Sequence, residues 1–567
     1  MARHVPAGTA AARDHPRPGG EMRRDRGRLG PFLCWGVVFA DIGTSVYYTP
    51  GILFQQPGIG THAALFVALT LLVFVLLTVK YGEVAVRYPG GGGVVTVATH
   101  ALHPFAGLLG GMFILVDYFL TAALSALSGL IYLSDVAPAL RPVVLPAALL
   151  ALGVLGVLNL IGISTSAKVN VTVAVLAAAS QLAVVLAVIV QVGPAQLLAA
   201  LPRVLSGPRL TPLRVLTGYA GAFLAFSGLE SISQLSPAIA EPRRRVVQGA
   251  LRALVATMAL TSPLLTLWST TVLPITTTTD PNQFISLLAG YAAGHPLEIE
   301  VAVSGALLLV FASNTALIGS YHVFLALARR GFLPPVLMQR NRMRNTPHWA
   351  ILAAVGVPLV VLVLAHGSVT MLGDLYAFGL LGAFSLTCLG LDIVRWHERH
   401  PGQHPRGEIR QHEQDAAGAA GAGGGPVGRG TFALGVLTTG LVTLAWTTNL
   451  FAKPLATLFG GAVTCGGLLI GLATYALEHR RGRPRVFPLL YHPEYPSVFL
   501  ARGRRARQPA TVLAVLPRQA AQVGALVGAA HAAAAGGPVV FVQRGTHDPT
   551  TRPPRLFEIV EPHLEDP

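Results

Sequence analysis

The sequence predicts an all-α polytopic membrane protein, and three observations carry that prediction. Of 567 residues, 52% are apolar and only 12% charged, where a soluble globular domain carries about 25% charged residues. Residues 143–161 and 171–190 contain no charged side chain, and about 20 such residues cover a hydrocarbon core about 30 Å thick. Blocks of this kind recur along most of the chain, where a soluble protein would show short amphipathic stretches.

The net charge of +16 does not point to nucleic acid, because its distribution decides more than its size. Lys80, Lys168 and Lys453 are the only lysines and the other 38 basic residues are arginines; with the abundant Ala and Gly, this is a GC-rich coding bias. Cys34, Cys388 and Cys465 fall in apolar blocks without metal-like spacing, so neither a disulfide framework nor a zinc site is expected.

In chain order, residues 1–31 are rich in Arg, Pro and Gly and lack the apolar middle of a signal peptide. They read as a disordered cytosolic tail. Twelve spans follow, at 32–54, 61–80, 104–133, 143–161, 169–192, 213–236, 248–273, 299–328, 349–366, 370–394, 432–452 and 455–477. The first ten make a core over 32–394, residues 395–431 a cytosolic loop, and 432–477 the last two spans. In the 478–567 tail, the runs 511–516 and 539–542 flank an Ala-rich stretch at 518–535, the pattern of a small cytosolic α/β domain. It has no glycine-rich phosphate loop, so a docking or regulatory module is expected there.

Orientation follows from Arg and Lys, which accumulate in cytoplasmic loops. The N-terminal tail holds seven arginines. Arg243, Arg244 and Arg245 follow span six, and Arg329, Arg330, Arg340, Arg342 and Arg344 follow span eight. Between spans seven and eight stand Asp280, Glu298 and Glu300 with no Lys or Arg. Both termini are therefore expected in the cytoplasm; Arg203, Arg209 and Arg214, between spans five and six, dissent.

An ionisable group at the centre of a span costs about 2.5–3.5 kcal/mol on insertion scales, so each needs a reason. Asp41, Asp117 and Glu230 qualify; Glu83, Asp374 and Asp392 lie near span ends, where water is expected close by. Span one reads FADIGTSVYYTP, with Gly43, Thr44 and Ser45 mid-span and Pro50 beyond. Span six reads FSGLESISQLSP, with Gly228 and Pro237 in comparable places. Paired interruptions five spans apart are the pointer to inverted repeats with a midplane site made from broken helices. In span three, Asp117 and Thr121 stand at i and i+4 on one face, which Ser125 and Ser128 extend. Carboxylates there favour a cation, with hydroxyls from Tyr48, Thr121, Ser227 and Tyr376 as further ligands. Freed amides at Gly43 to Ser45 would instead favour a substrate carboxylate. A buried carboxyl that titrates can carry a proton. Ser313 and Asn314 in span eight either line a sodium site or pack.

At these residues the chain resembles the amino acid, polyamine and organocation superfamily over essentially all of 32–477. The stretch from Glu83 through Pro89 and Gly90 to Gly93 looks like the pattern after span two of its permeases. GVVFADIGTSVYY is similar to the first-helix motif of Kup- and Kim-type potassium:proton symporters. VDYFLTAALS resembles the Kim-type third helix, DLYAFG the tenth, and Glu230 stands in the place of that group's glutamate. Ser227 replaces the Thr of the pattern and Val46 its proline, and the soluble tail looks shorter than a complete universal-stress-like domain.

The resemblance implies a five-plus-five inverted-repeat (LeuT-like) core with two extra helices in the cell membrane, and secondary uptake of potassium coupled to protons. Potassium would bind at Asp41, Tyr48, Asp117, Thr121, Ser227 and Tyr376, with Gly43, Thr44, Ser45 and Gly228 completing the set of substrate- or ion-binding residues and Glu230 or Asp117 coupling the proton. No cofactor is implied beyond these transported ions. An amino acid or polyamine permease on the same fold, and a transporter-like membrane sensor, are the alternatives. An enzyme is not expected, since the spans hold no nucleophile-and-base pair or metal cluster. The lipid bilayer is the expected partner; a homodimer and a small ligand on the C-terminal domain remain open expectations, and nucleic acid is not expected.

Overall fold

The computed structural model describes residues 29–162, 167–341, 343–400, 428–480, 512–516 and 539–543. Residues 1–28 of the predicted disordered tail, most of the 395–431 loop and the Ala-rich stretch at 518–535 lie outside the described residues. Residues 29–480, where described, are built of helices. In chain order these are α1 (Pro31–Ile42), α2 (Ser45–Gln55), α3 (Ala63–Arg87), α4 (Gly93–Ala101), α5 (Pro104–Val136), α6 (Val144–Ile161), α7 (Ala167–Val192), α8 (Pro194–Leu205), α9 (Pro212–Ala222), α10 (Ser231–Gln234), α11 (Arg243–Thr271), α12 (Phe284–Ala293), α13 (His295–Arg329), α14 (His348–Leu364), α15 (Val369–Arg399), α16 (Arg429–Ala452) and α17 (Pro454–Arg480).

Among the described residues, ten segments are long and apolar enough to cross a membrane. Two predicted spans fall outside that number for physical reasons. Span nine, α14, is apolar but has only 17 residues. Span six is broken into short pieces, so no single helix there reaches the required length. Leu72, Leu150, Leu186, Val190, Phe451 and Leu458 are exposed on the outside of the helices, an apolar surface suited to lipid rather than water.

Three helices between spans escaped the sequence reading. α4 and α12 are too short to register against the long blocks around them. α8 is amphipathic and carries Arg203, one of the three dissenting arginines. Arg203 donates to the Thr271 carbonyl at 3.1 Å, satisfying an orphan acceptor at the end of α11. Arg214 donates to the Arg209 carbonyl at 2.9 Å and covers Gly58. The Arg203 and Arg214 guanidiniums thus serve local structure.

α5 is the central helix, almost entirely buried from Gly107 to Gly129, and α13 and α15 lie against it. Gly379 sets that distance: a Cβ there would stand 2.7 Å from both the Asp117 amide and the Phe113 carbonyl. In the C-terminal tail, two five-residue strands, β1 (Val512–Leu516) and β2 (Val539–Gln543), pair in parallel with Val512 opposite Val539. They coincide with the two predicted runs.

Candidate functional site

The helix break in span one is written by its own side chains. Gly43 still donates to Phe39 O at 2.8 Å, but Thr44 N turns to Asp41 O at 3.3 Å and Tyr47 N to Thr44 O at 3.0 Å, so the ladder tightens from i−4 to i−3. Thr44 Oγ1 donates to Asp41 O at 2.6 Å. Ser45 Oγ lies 2.6 Å from both Ile42 O and Ala225 O. Small hydroxyl residues compete for helix carbonyls in this way. With one proton, Ser45 serves one of its two acceptors at a time, and the second belongs to the break in span six.

That second break is wider than predicted. After α9 the chain runs through a 3-10 turn at Phe223–Phe226, becomes extended at Ser227 and reverses at Gly228, where φ is +101°. A Cβ on Gly228 would stand 2.8 Å from Ile42 N and 3.0 Å from Asp41 Cγ. The two breaks therefore touch, and only glycine allows both the contact and the dihedral. Pro50, by contrast, sits inside α2 and does not end it.

Gly228→Ala should remove transport and lower thermal stability in detergent, because the positive φ alone costs roughly 1–2 kcal/mol for an L residue before the clash is counted. Gly153→Ala is the control. A Cβ at Gly153 meets nothing within 4 Å, so its melting temperature and flux should match the parent.

Around the touching breaks the structure gathers the predicted residues. Asp41, Thr44, Ser45, Tyr48, Asp117, Thr121, Ser227, Glu230 and Tyr376 are all buried. Ser231 Oγ donates to Asp41 Oδ2. Thr44 Oγ1 lies 3.5 Å from the Tyr48 hydroxyl, with Ser227 beside the same hydroxyl. Thr121 Oγ1 donates to the Tyr376 hydroxyl at 2.8 Å, joining α5 to α15. Both carboxylate oxygens of Asp117 and Oε2 of Glu230 have no hydrogen-bond partner, nor do the Ser125 and Ser128 hydroxyls on the same face of α5. Asp41, Asp117 and Glu230 lie close enough to act on one another's charge. Among the described residues, none of the three is paired with Lys, Arg or His.

Gly43 and Ser45 are bonded within the protein at the breaks. The Gly43 carbonyl accepts from Gln181 Nε2 at 3.1 Å. Ser313 and Asn314 have protein partners: Ser313 donates to Ala122 O at 2.9 Å and Asn314 Oδ1 accepts from Asn159 Nδ2 at 2.7 Å.

The expectation that water is close to Asp392 is corrected. Its side chain is 9% exposed and pairs with Lys80, 2% exposed, at 2.7 Å. Lys80 Nζ also donates to Thr439 Oγ1 at 2.7 Å and to Cys388 O at 3.1 Å. Arg395, 1% exposed, pairs with Glu83, which accepts from Arg87 Nε at 2.7 Å, and Arg87 also pairs with Glu398. Gly435 on α16 leaves room for the Arg395 guanidinium. α3 and α16 close over Lys80, Asp392 and Arg395, so these three charges are compensated within the cluster rather than by water, while Glu83, Arg87 and Glu398 stay partly exposed. Asp374 is paired too, with Lys453 at 2.7 Å. The signal for the cluster was present: Lys80 is one of three lysines in an arginine-rich chain, and it falls in an apolar span.

Over 344 residues the chain is 28% identical to the potassium transporter KimA of Bacillus subtilis, covering 58% of this chain and 54% of that protein. It is 39% identical over 131 residues to a probable potassium transport system protein, Kup 1, of a Bradyrhizobium species, 21% of each chain. The chain thus spans about half the length of the first relative and about a fifth of the second. Among solved structures, a manganese transporter of Eremococcus coleocola, crystallised with an aromatic bis-isothiourea substituted compound, aligns over 82% of this chain and 97% of its own at 15% identity and a TM-score of 0.47. A family model described as amino acid permease matches residues 32–473, through both breaks and every helix that reaches the site. By that match the chain belongs to the amino acid permease family of the amino acid, polyamine and organocation superfamily, the multi-pass secondary transporters of membranes.

Proposed function

We propose that this protein takes up potassium across the cell membrane together with protons, by alternating access around the two touching breaks. The observation that carries the reading is the trio Asp41, Asp117 and Glu230: buried carboxyls, mutually close, without a basic partner. A carboxylate removed from water loses several kcal/mol of solvation, so each must be neutralised by a proton or paired with a cation. A site of this composition gains and loses positive charge. Potassium suits the neutral oxygens of Tyr48, Thr121, Ser227 and Tyr376, which can replace part of its hydration shell, with Asp41 and Asp117 supplying charge. Glu230, with an unpartnered oxygen, is the proton carrier. Two relatives bear potassium transport in their names.

The wider architecture in this reading is twelve crossings: the ten long spans, α14 as a short one, and the broken α9–α10 segment. The first ten form two inverted repeats of five, and both termini face the cytoplasm. One charge crossing 100 mV gains about 2.3 kcal/mol, so an ion and a proton together gain about 4.6 kcal/mol, roughly three decades of accumulation.

The second reading, an amino acid or polyamine permease, draws on the family's name. A bound amino acid would need donors for its carboxylate, and two of the three amides from Gly43 to Ser45, those of Gly43 and Thr44, are already bonded to Phe39 and Asp41. The test is growth of a potassium-uptake-deficient host at low potassium, alongside uptake of a labelled amino acid panel. Restored growth with no amino acid uptake supports the first reading; potassium-independent amino acid uptake without rescue supports the second.

A further inference from the structure

Outside the central site, a second polar cluster lies between α2, α7 and α13, and nothing in the transport reading uses it. We infer that Tyr47, Ser180, Gln181, Glu300 and Ser304 form a second monovalent-cation site, a staging point between the membrane exterior and the central carboxyls. This inference rests on the proposed cation transport and on the proposed orientation, in which the start of α13 faces outward.

The cluster is rich in oxygen and poor in protons. Ser180 Oγ donates to Glu300 Oε2 at 2.7 Å, and Ser304 Oγ donates to Ser180 Oγ at 3.0 Å. Gln181 is fully buried; its Nε2 is spent on the Gly43 carbonyl, while Oε1 has no partner. Tyr47 is also fully buried. Its ring lies on Gly305, where a Cβ would stand 3.0 Å from Tyr47 Cζ. The Tyr47 hydroxyl sits beside Gln181, Ser304 and Ser180, close enough for each to act on it and within the field of Glu300, yet none of these contacts reaches full hydrogen-bonding geometry. Buried polar atoms are nearly always bonded, so two unpartnered oxygens in one cluster point to a ligand.

The charge count sets the ligand's class. Glu300 has no Lys, Arg or His in ion-pair reach among the described residues. The other titratable groups at this end are Glu298, held by His295 at 3.0 Å, and Asp135 and Asp280, with Arg141 beside Asp135. The surroundings are net acidic. One carboxylate with hydroxyl and amide oxygens matches a single positive charge, whereas divalent calcium sites gather several carboxylates. Because Gln181 also holds the Gly43 carbonyl, an ion drawing on its Oε1 acts directly on the break in span one.

Tyr47→Phe is the clean variant, since it keeps the buried ring and removes only a hydroxyl without a full hydrogen bond. Equilibrium binding of radioactive rubidium to the purified full-length protein should show two ions on the parent. Tyr47→Phe and Glu300→Gln should weaken one of them at least tenfold, and Asp117→Asn should leave that one bound while losing the other. Unchanged number and affinity in Tyr47→Phe would overturn the inference and leave the cluster as packing between α7 and α13. A single ion, lost in Asp117→Asn alone, would also overturn it while the potassium reading stands. No rubidium bound by the parent would remove both.

Discussion

Asp117→Asn should abolish concentrative rubidium uptake and weaken rubidium binding at the central site by at least a hundredfold. The side chain is fully buried and neither carboxylate oxygen reaches full hydrogen-bonding geometry with its neighbours Tyr376 and Glu230, so the fold depends little on its charge. Losing a buried charge opposite its counter-charge costs about 3–5 kcal/mol, and each 1.4 kcal/mol is about tenfold in affinity. The amide keeps the shape and one oxygen, so the protein should still fold, with the melting temperature of the parent or higher. Binding isotherms and thermal unfolding on the same preparation separate the two effects. A variant that folds and still accumulates rubidium would remove Asp117 from the site.

Lys80→Met should show the opposite pattern, a loss of stability before any loss of specificity. Lys80 and Asp392 are buried and bonded at 2.7 Å, and removing one partner of such a pair destabilises by about 3–5 kcal/mol because the other charge is left uncompensated. Arg395 Nη1, 3.5 Å from Asp392 Oδ1, retains part of the compensation, which puts the expected loss at the lower end of that range. The double variant Lys80→Met/Asp392→Leu should recover most of the loss, since both charges go together. Denaturation of parent, single and double variants in detergent measures this directly. Equal stability of parent and single variant would mean that the pair is not closed off from water.

The contrast between these residues shows what the sequence made legible. Asp41, Asp117 and Glu230 were found because a carboxyl deep in an apolar span has few structural uses, and the breaks at Gly43 and Gly228 because glycine and small hydroxyl residues interrupt otherwise regular blocks. Long uncharged runs located most of the spans. What stayed hidden depends on distance across the fold. Asp392 read as near water because its own neighbours in sequence are a span end; that Lys80 and α16 cover it is a tertiary fact. Gln181 and Ser180 stood in plain view as the polar pair inside an apolar block, yet their importance comes from Gly43 and Glu300, remote in sequence. The width of the break in span six was likewise set by its contact with Asp41, not by local propensity.

The central claim is tested most directly in proteoliposomes holding the purified full chain, with a set membrane potential, rubidium outside and a pH reporter in the lumen. The account predicts rubidium accumulation against its gradient with simultaneous acidification of the lumen, both driven by an inside-negative potential. Both signals should be lost together in Asp117→Asn, while acidification alone should be lost in Glu230→Gln. Rubidium flux without any proton movement would contradict the coupling, and flux unchanged by Asp41→Asn and Asp117→Asn would contradict the site.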